Sequence, residues 1–235
     1  MDRFIQRFPA VEDGDLMLCP EHGVAYQKDR TNLIAYDEAY YNKCASYEGQ
    51  EIARKINEGR IALVDKWVGF ASVVDVGIGS GEFIKLRPNT YGQDVNPVAI
   101  EWLKREDLWA RSLTGARGAT FWDTIEHCPD PGQYLDQINL QGYAFFSIPI
   151  FYGLSAIRAS KHYRPGEHLQ YFEQEGFVRW MDLYGFALLE VDDFEIQAGR
   201  ESIYSFAFKR YRRATDVVES ARQSHVPSLY GRASA

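Results

Sequence analysis

Cysteine is scarce in this chain, and a long apolar run is missing altogether. Three cysteines in 235 residues, Cys19, Cys44 and Cys128, form an odd and sparse set. That speaks against a disulfide framework and for a reducing compartment, so a cytoplasmic location is expected. No stretch approaches the ~20 consecutive apolar residues that cross a bilayer, which excludes a membrane-spanning helix. The opening Met1-Asp2-Arg3-Phe4 lacks the basic region and apolar segment of a secretory signal. Positive charge is also short: 26 Lys and Arg stand against 33 Asp and Glu, for a net charge of −7. Such a balance disfavours broad contact with a phosphate backbone, so nucleic acid is not the expected partner. Internal repeats and low-complexity segments are absent, and the length suits one α/β domain with additions.

What is present centres on Val73-Val74-Asp75-Val76-Gly77-Ile78-Gly79-Ser80-Gly81-Glu82-Phe83. The β-branched run reads as a buried strand. It enters a turn with Gly77, Gly79 and Gly81 at alternate positions, where the missing Cβ lets the backbone approach a ligand closely. The helix after the turn would point unpaired N–H groups at the same place. The spacing is not the G-x-G-x-x-G of a nicotinamide-binding turn, and no Lys-Ser/Thr pair comes after the glycines, which excludes a P-loop. Tyr91 to Pro97 reads as a second strand ending in Asp94 and Val95, with Asn96 capping a helix that Pro97 opens. Asp94 lies nineteen positions after Asp75, where an acidic side chain can accept both ribose hydroxyls of a nucleoside.

Together these motifs resemble the class I S-adenosylmethionine (SAM)-dependent methyltransferases over about residues 50 to 209. The resemblance implies a Rossmann-like sheet of seven strands, mostly parallel, with helices on both faces and an antiparallel seventh strand. It implies residues 1–50 as a segment covering the site, 51–211 as the methyltransferase domain and 212–235 as a polar tail. SAM is the cofactor it implies, held by Asp75, the three glycines, Asp94 and Val95. Asp107 and Leu108 are the nearest match to the family's adenine-contacting pair after the third strand. The segment before the first strand often lies over the methionine end of SAM in this superfamily, a role open to Tyr41 or Tyr47.

A third signal is Ala119 to His127, read as the fourth strand ending at Trp122 and Asp123. The run Asp123-x-x-Glu126-His127-x-x-Asp130-Pro131 resembles a stretch of small-molecule methyltransferases, among them the O-methyltransferases of ubiquinone biosynthesis. There the acidic position borders SAM and the Glu-His pair faces the acceptor. In this chain His127 is a candidate general base for a hydroxyl proton, with Glu126 and His168 as its companions. An alternative is a divalent metal held by Asp123 or Glu126 with His127 and a later histidine, as the plant small-RNA 2′-O-methyltransferases do with E-x-x-E-H and a distal His. Asp123 departs from that pattern, so no metal is assigned. A zinc site built on Cys19, His22 and Cys44 lacks a fourth ligand.

Gly142 to Pro149 reads as the fifth strand. It ends in Ser147-Ile148-Pro149-Ile150, not in the Asn/Asp-Pro-Pro-aromatic tetrad with which DNA amino-methyltransferases grip a flipped base. Residues 169–184 read as one amphipathic helix, residues 186–189 and 203–208 as late strands, Arg200 as a solvated loop charge and residues 209–213 as the start of a solvated tail. The expected activity is methyl transfer from SAM to a small-molecule acceptor, first at oxygen. The alternatives are methylation of a nucleic acid, a SAM-binding subunit without catalysis, or another user of the same nucleoside such as an aminopropyl transferase.

Overall fold

A computed structural model of the protein describes residues 10–213. The expectations for Met1 to Phe4 and for most of the polar tail lie outside these residues. Two sheets organise the chain. In the larger, strands β4 (Val73–Val76), β5 (Thr90–Gln93), β6 (Gly118–Trp122) and β7 (Tyr143–Pro149) run parallel, and β10 (Ile203–Arg210) inserts antiparallel between β7 and β9 (Phe186–Asp192). Its six strands stand in the order β5-β4-β6-β7-β10-β9.

The expected seventh strand, the third in chain order, is reduced to one parallel bridge between Gly92 and Trp109. Asp107 sits in a left-handed turn after helix α4 (Pro97–Arg105), and the chain bends again at Arg111, so only a short extended piece lies beside β5. Asp107 and Leu108 precede the bridge. They therefore lie toward the amino end of that strand position, away from the carboxyl ends where ligands bind in open parallel sheets.

Each face of the sheet has its own core. Along β7 the side chains alternate: Phe146 and Ile148 join one cluster, Tyr143 and Phe145 the other. Helix α6 (Gln174–Leu183) covers the first face with Phe177, Trp180 and Met181, and the Phe146 and Phe177 rings meet edge-on at 5.2 Å. Helix α2 (Glu51–Val68) covers the second with Leu63 and Val64. Helix α7 (Phe194–Gln197) packs against α2 through Phe194, whose ring occupies the place where a Cβ on Gly59 would stand. Gly59 is thus a point of close approach between the two helices.

The amino-terminal region is not irregular. Strands β1 (Val11–Asp13), β2 (Leu16–Cys19) and β3 (Val24–Gln27) form an antiparallel ladder completed by β8 (Gln170–Phe172). The expected helix over 169–184 therefore begins only at Gln174. Gln170, Tyr171 and Phe172 are all buried, which a single helical stripe does not achieve but a strand covered on both faces does. Helix α1 (Glu38–Ala45) starts at Asp37, whose carboxylate accepts from the Tyr40 N–H, and Asn96 Nδ2 donates to the Asp37 carbonyl at 2.7 Å. That bond ties the tyrosine-rich segment to the tip of β5.

Two arginines are structural. Arg210, read from sequence as part of a solvated tail, is buried at the end of the short helix α5 (Gly132–Leu135), where it donates to the carbonyls of Leu135, Asp136 and Ile138. Arg87, also buried, pairs with Asp65 at 2.9 Å and donates to the carbonyls of Gly69 and Ala71 and to Thr90 Oγ1. It pins the end of α2 to the start of β5. Replacing it by Met leaves these acceptors without a donor. We expect Arg87→Met to destabilise the fold by about 3 kcal/mol, the scale of a broken buried ion pair. For a chain of this size that lowers the thermal midpoint by roughly 6–12 °C. A melting curve followed by circular dichroism measures it, and a shift near ~1 °C would contradict the assignment.

Candidate active site

The carboxyl ends of β4, β5 and β6 open into a cleft of about 640 Å³, within the roughly 300–1,000 Å³ usual for ligand sites. Its floor is the glycine turn after β4. Gly77 has φ 76°, and a Cβ there would stand 2.6 Å from Thr124 Oγ1. Gly79 has φ 56°, but a Cβ there would meet nothing within 4 Å, because the space beside it belongs to the cleft. Gly81 is set back as the cap of a helix of only five residues, α3 (Glu82–Leu86). Below the turn Asp75 is buried, accepts from Thr120 Oγ1 at 2.6 Å, and has its carboxyl pushed up to about 7 by that burial.

Asp94, at the tip of β5, fastens the turn. Its Oδ2 accepts from the Ile78 N–H and its Oδ1 from the Asn96 N–H, both at 2.8 Å. Burial nevertheless raises its carboxyl above the ordinary value. The Val95 backbone also bonds this carboxylate, so the three backbone donors leave it acceptor capacity for one ligand hydroxyl. Asp75, Gly77, Gly79, Asp94, Val95, Trp122, Asp123 and Tyr41 line the cleft, whereas Asp107 and Leu108 do not.

Asp123 is the meeting point of the site. It comes directly after β6 with φ 52°, its N–H donating to the Ser147 carbonyl at 2.9 Å. Its carboxylate is held by Arg200 at 2.8 Å and by Arg60 at 3.1 Å. Burial works against its charge, but the two guanidinium groups prevail and hold the carboxyl below the usual range. Arg60 also pairs with the fully buried Glu195 at 2.8 Å, and its guanidinium lies 4.9 Å from the Trp122 ring centroid. Arg200 pairs with Glu195 as well. Arg200 is therefore no solvated loop charge. Arg60 had no sequence signal, since one arginine on a helix face looks like any other.

Beyond Asp123, a short 3₁₀ turn (Ile125–His127) carries Glu126 and His127. His127 lines the cleft, and its Nδ1 lies 3.0 Å from the Tyr36 hydroxyl. Tyr36 comes from the tyrosine-rich stretch, but its contact with a residue ninety-one positions away had no mark in the sequence. Burial pushes the His127 imidazole down to about 4, so it is neutral at pH 7. Glu126 and His168 stand behind it, 1% and 4% exposed. The His127 and His168 rings meet edge-on at 4.6 Å, and His127 Nε2 lies 3.8 Å from Glu126 Oε1. Burial raises the Glu126 carboxyl and lowers the His168 imidazole to about 2. His162 turns away and bonds the Glu201 carbonyl at 2.8 Å. Cys19 and His22 touch at 3.2 Å, while Cys44 lines the cleft on α1 and, among the described residues, does not gather with them.

A parallel sheet with a reversed strand near one edge, and a glycine turn closed by an acid at the tip of the next strand, define the fold class of SAM-dependent methyltransferases. A SAM-dependent methyltransferase from Thermotoga maritima superposes with a TM-score of 0.53 at 13% identity, over 74% of this chain and 97% of that one. One from Clostridium acetobutylicum gives 0.53 at 14%, over 73% and 99%. A chain from the Haloferax volcanii complex of the Trm112 methyltransferase activator gives 0.56 at 10%, over 75% and 96%. At these identities the likeness is one of fold. A search among curated proteins finds no match. A family model described as a methyltransferase domain matches residues 20–191, and the chain belongs to that family. It is a SAM-dependent methyltransferase.

The open space beside Gly79 and the Asp94 carboxylate stand where the sequence resemblance expects the methionine and ribose parts of SAM. We expect Asp94→Ala to weaken binding of SAM and of its demethylated product S-adenosylhomocysteine by about tenfold, the effect of losing roughly 1.4 kcal/mol of hydrogen bonding. Gly79→Arg fills the cleft and should abolish both while the chain stays folded. Calorimetric titration reads both, and unchanged affinity in Asp94→Ala would remove the ribose assignment.

Proposed function

We propose that this protein transfers the methyl group of SAM to a hydroxyl of a small molecule, with the acceptor seated between the glycine turn and His127. The observation that carries this reading is His127 itself. It is a neutral imidazole on the cleft wall, steered by the Tyr36 hydroxyl at Nδ1. A hydroxyl is a poor nucleophile until its proton is loosened, and a group with a free electron pair beside it serves that need.

When bound, SAM supplies a sulfonium methyl that is ready for displacement. The chain supplies the rest. Asp94 and the glycine turn fix the donor with Tyr41 beside them, while Tyr36 and Tyr40 enclose the acceptor end with aromatic surface. The oxygen–carbon bond forms as the carbon–sulfur bond breaks, and the acceptor proton leaves on the His127 side. Holding the two reactants in line provides much of the acceleration. Residues 28–50 act in this reading as the cover of the site. A small acceptor agrees with the enclosing tyrosines and with the net charge of −7, which disfavours a polynucleotide.

His127→Ala should lower turnover by roughly 10²–10⁴-fold, the range for removing a proton-transfer group. Its affinity for S-adenosylhomocysteine should stay within about threefold of the parent. A screen of phenols, catechols and aliphatic alcohols against amines, scored by S-adenosylhomocysteine release, tests oxygen as the site. Turnover confined to amines would overturn that choice, and full activity of His127→Ala would make the residue structural.

A further inference from the structure

Behind His127 stand Glu126 and His168, two electron-pair donors that the methyl transfer outlined above does not use. One donor atom each from Glu126, His127 and His168 lies within 4.8 Å of the other two. Glu126 is 1% exposed, and no protein group hydrogen-bonds either of its carboxylate oxygens. The His168 Nδ1 is likewise buried without a partner. Buried acceptor atoms left without a protein partner are costly, since each unpaired buried polar group loses about 1–3 kcal/mol. A cation among them removes that penalty.

The surroundings are those of a ligand set. The outer nitrogen of His127 is engaged by Tyr36 at 3.0 Å, which leaves Nε2 for the cluster and fixes the ring. His168 is brought to Glu126 by backbone: the Leu169 N–H donates to the Glu126 carbonyl at 2.8 Å. Gln170 Nε2 and the Cys128 carbonyl add a second tie at 3.0 Å. Tyr171 donates to the His168 carbonyl at 3.0 Å and receives from Gln27 of β3 at 2.9 Å. The small amino-terminal sheet is thus the frame that holds His168 against the methyltransferase domain. Asp123 is turned away from this cluster by Arg60 and Arg200, so it is no ligand.

We propose that Glu126, His127 and His168 bind one divalent transition-metal cation at the acceptor wall of the cleft. Two imidazoles and one carboxylate suit Zn²⁺, Co²⁺, Mn²⁺ or Fe²⁺ better than Mg²⁺ or Ca²⁺, which prefer all-oxygen shells. Three protein ligands leave at least one position open. Resting on the methyltransferase reading, that position takes the acceptor oxygen. Coordination lowers the hydroxyl pKa and takes the place of proton removal by His127, whose Nε2 is then a ligand; the proton passes to solvent, and the oxygen takes the methyl group while the carbon–sulfur electron pair stays on sulfur as a neutral thioether. The acceptor class narrows accordingly to molecules offering a metal-binding hydroxyl, vicinal diols and catechols first.

The test uses the full chain, stripped with a chelator and titrated with Co²⁺ under calorimetry and visible absorption. One equivalent should bind with a d–d band, and Zn²⁺ should displace it while Mg²⁺ does not. Glu126→Gln and His168→Ala should each weaken Co²⁺ binding at least tenfold, with S-adenosylhomocysteine binding unchanged as the sign of an intact fold. Absence of a stoichiometric site, or equal binding by both variants and the parent, overturns the proposal. Loss of S-adenosylhomocysteine binding by the parent chain instead would strike the methyltransferase reading, and the Co²⁺ result would still decide the metal site by itself.

Discussion

The site hangs on the charge balance around Asp123. Two arginines and two carboxylates, Arg60, Arg200, Asp123 and Glu195, meet where α2, β6, α7 and β10 converge. Glu195 is fully buried, and a buried charge is tolerable only when it is paired and hydrogen-bonded. Here the count closes at two positive and two negative groups. Arg60 shares itself between both carboxylates and lies over Trp122. Ser147 Oγ accepts from the same arginine at 3.0 Å, so β7 is tied in as well. Asp123 stands between the glycine turn and the Glu126–His127 turn. The network therefore fixes the distance between the donor half of the cleft and the acceptor half.

The acceptor half borrows its rigidity from a part of the chain that carries no methyltransferase motif. Strand β3 pairs with β8, and Leu169, just before β8, donates its N–H to the Glu126 carbonyl. His168 is consequently held from both sides. Folding the amino-terminal ladder and forming the buried histidine pair are one event in this arrangement. The aromatic segment between β3 and α2 then closes the front, anchored by Asn96 to the helix cap that also serves Asp94. Donor turn and cover are thereby linked through one asparagine side chain.

Where local rules dominate, the sequence was legible. The β-branched run before Gly77 gave β4, the apolar stripe of residues 51–68 gave α2, and Asn96-Pro97 gave the start of α4 with Asn96 accepting from the Val98 N–H. Misreadings cluster where tertiary contacts overrule local pattern. Gln170 to Phe172 continues the helix-like apolar spacing of α6, but pairing with β3 buries all three residues and makes them a strand. Arg200 and Arg210 look like solvent charges until buried carboxylates and carbonyls are brought to them. The third strand of the fold is reduced to one bridge because the chain turns at Asp107 and bends again at Arg111.

By itself, then, the sequence determined the donor side. Glycine conformations, a strand-ending acid and a helix cap are each specified within a few residues, because φ/ψ freedom and capping are local properties. Only the tertiary structure decided the acceptor side. That Tyr36 meets His127, that His168 meets Glu126, and that Asp123 faces two arginines instead of the cluster all depend on contacts between residues distant in the chain. Such contacts arise where segments far apart in the chain come together, and no local rule encodes them.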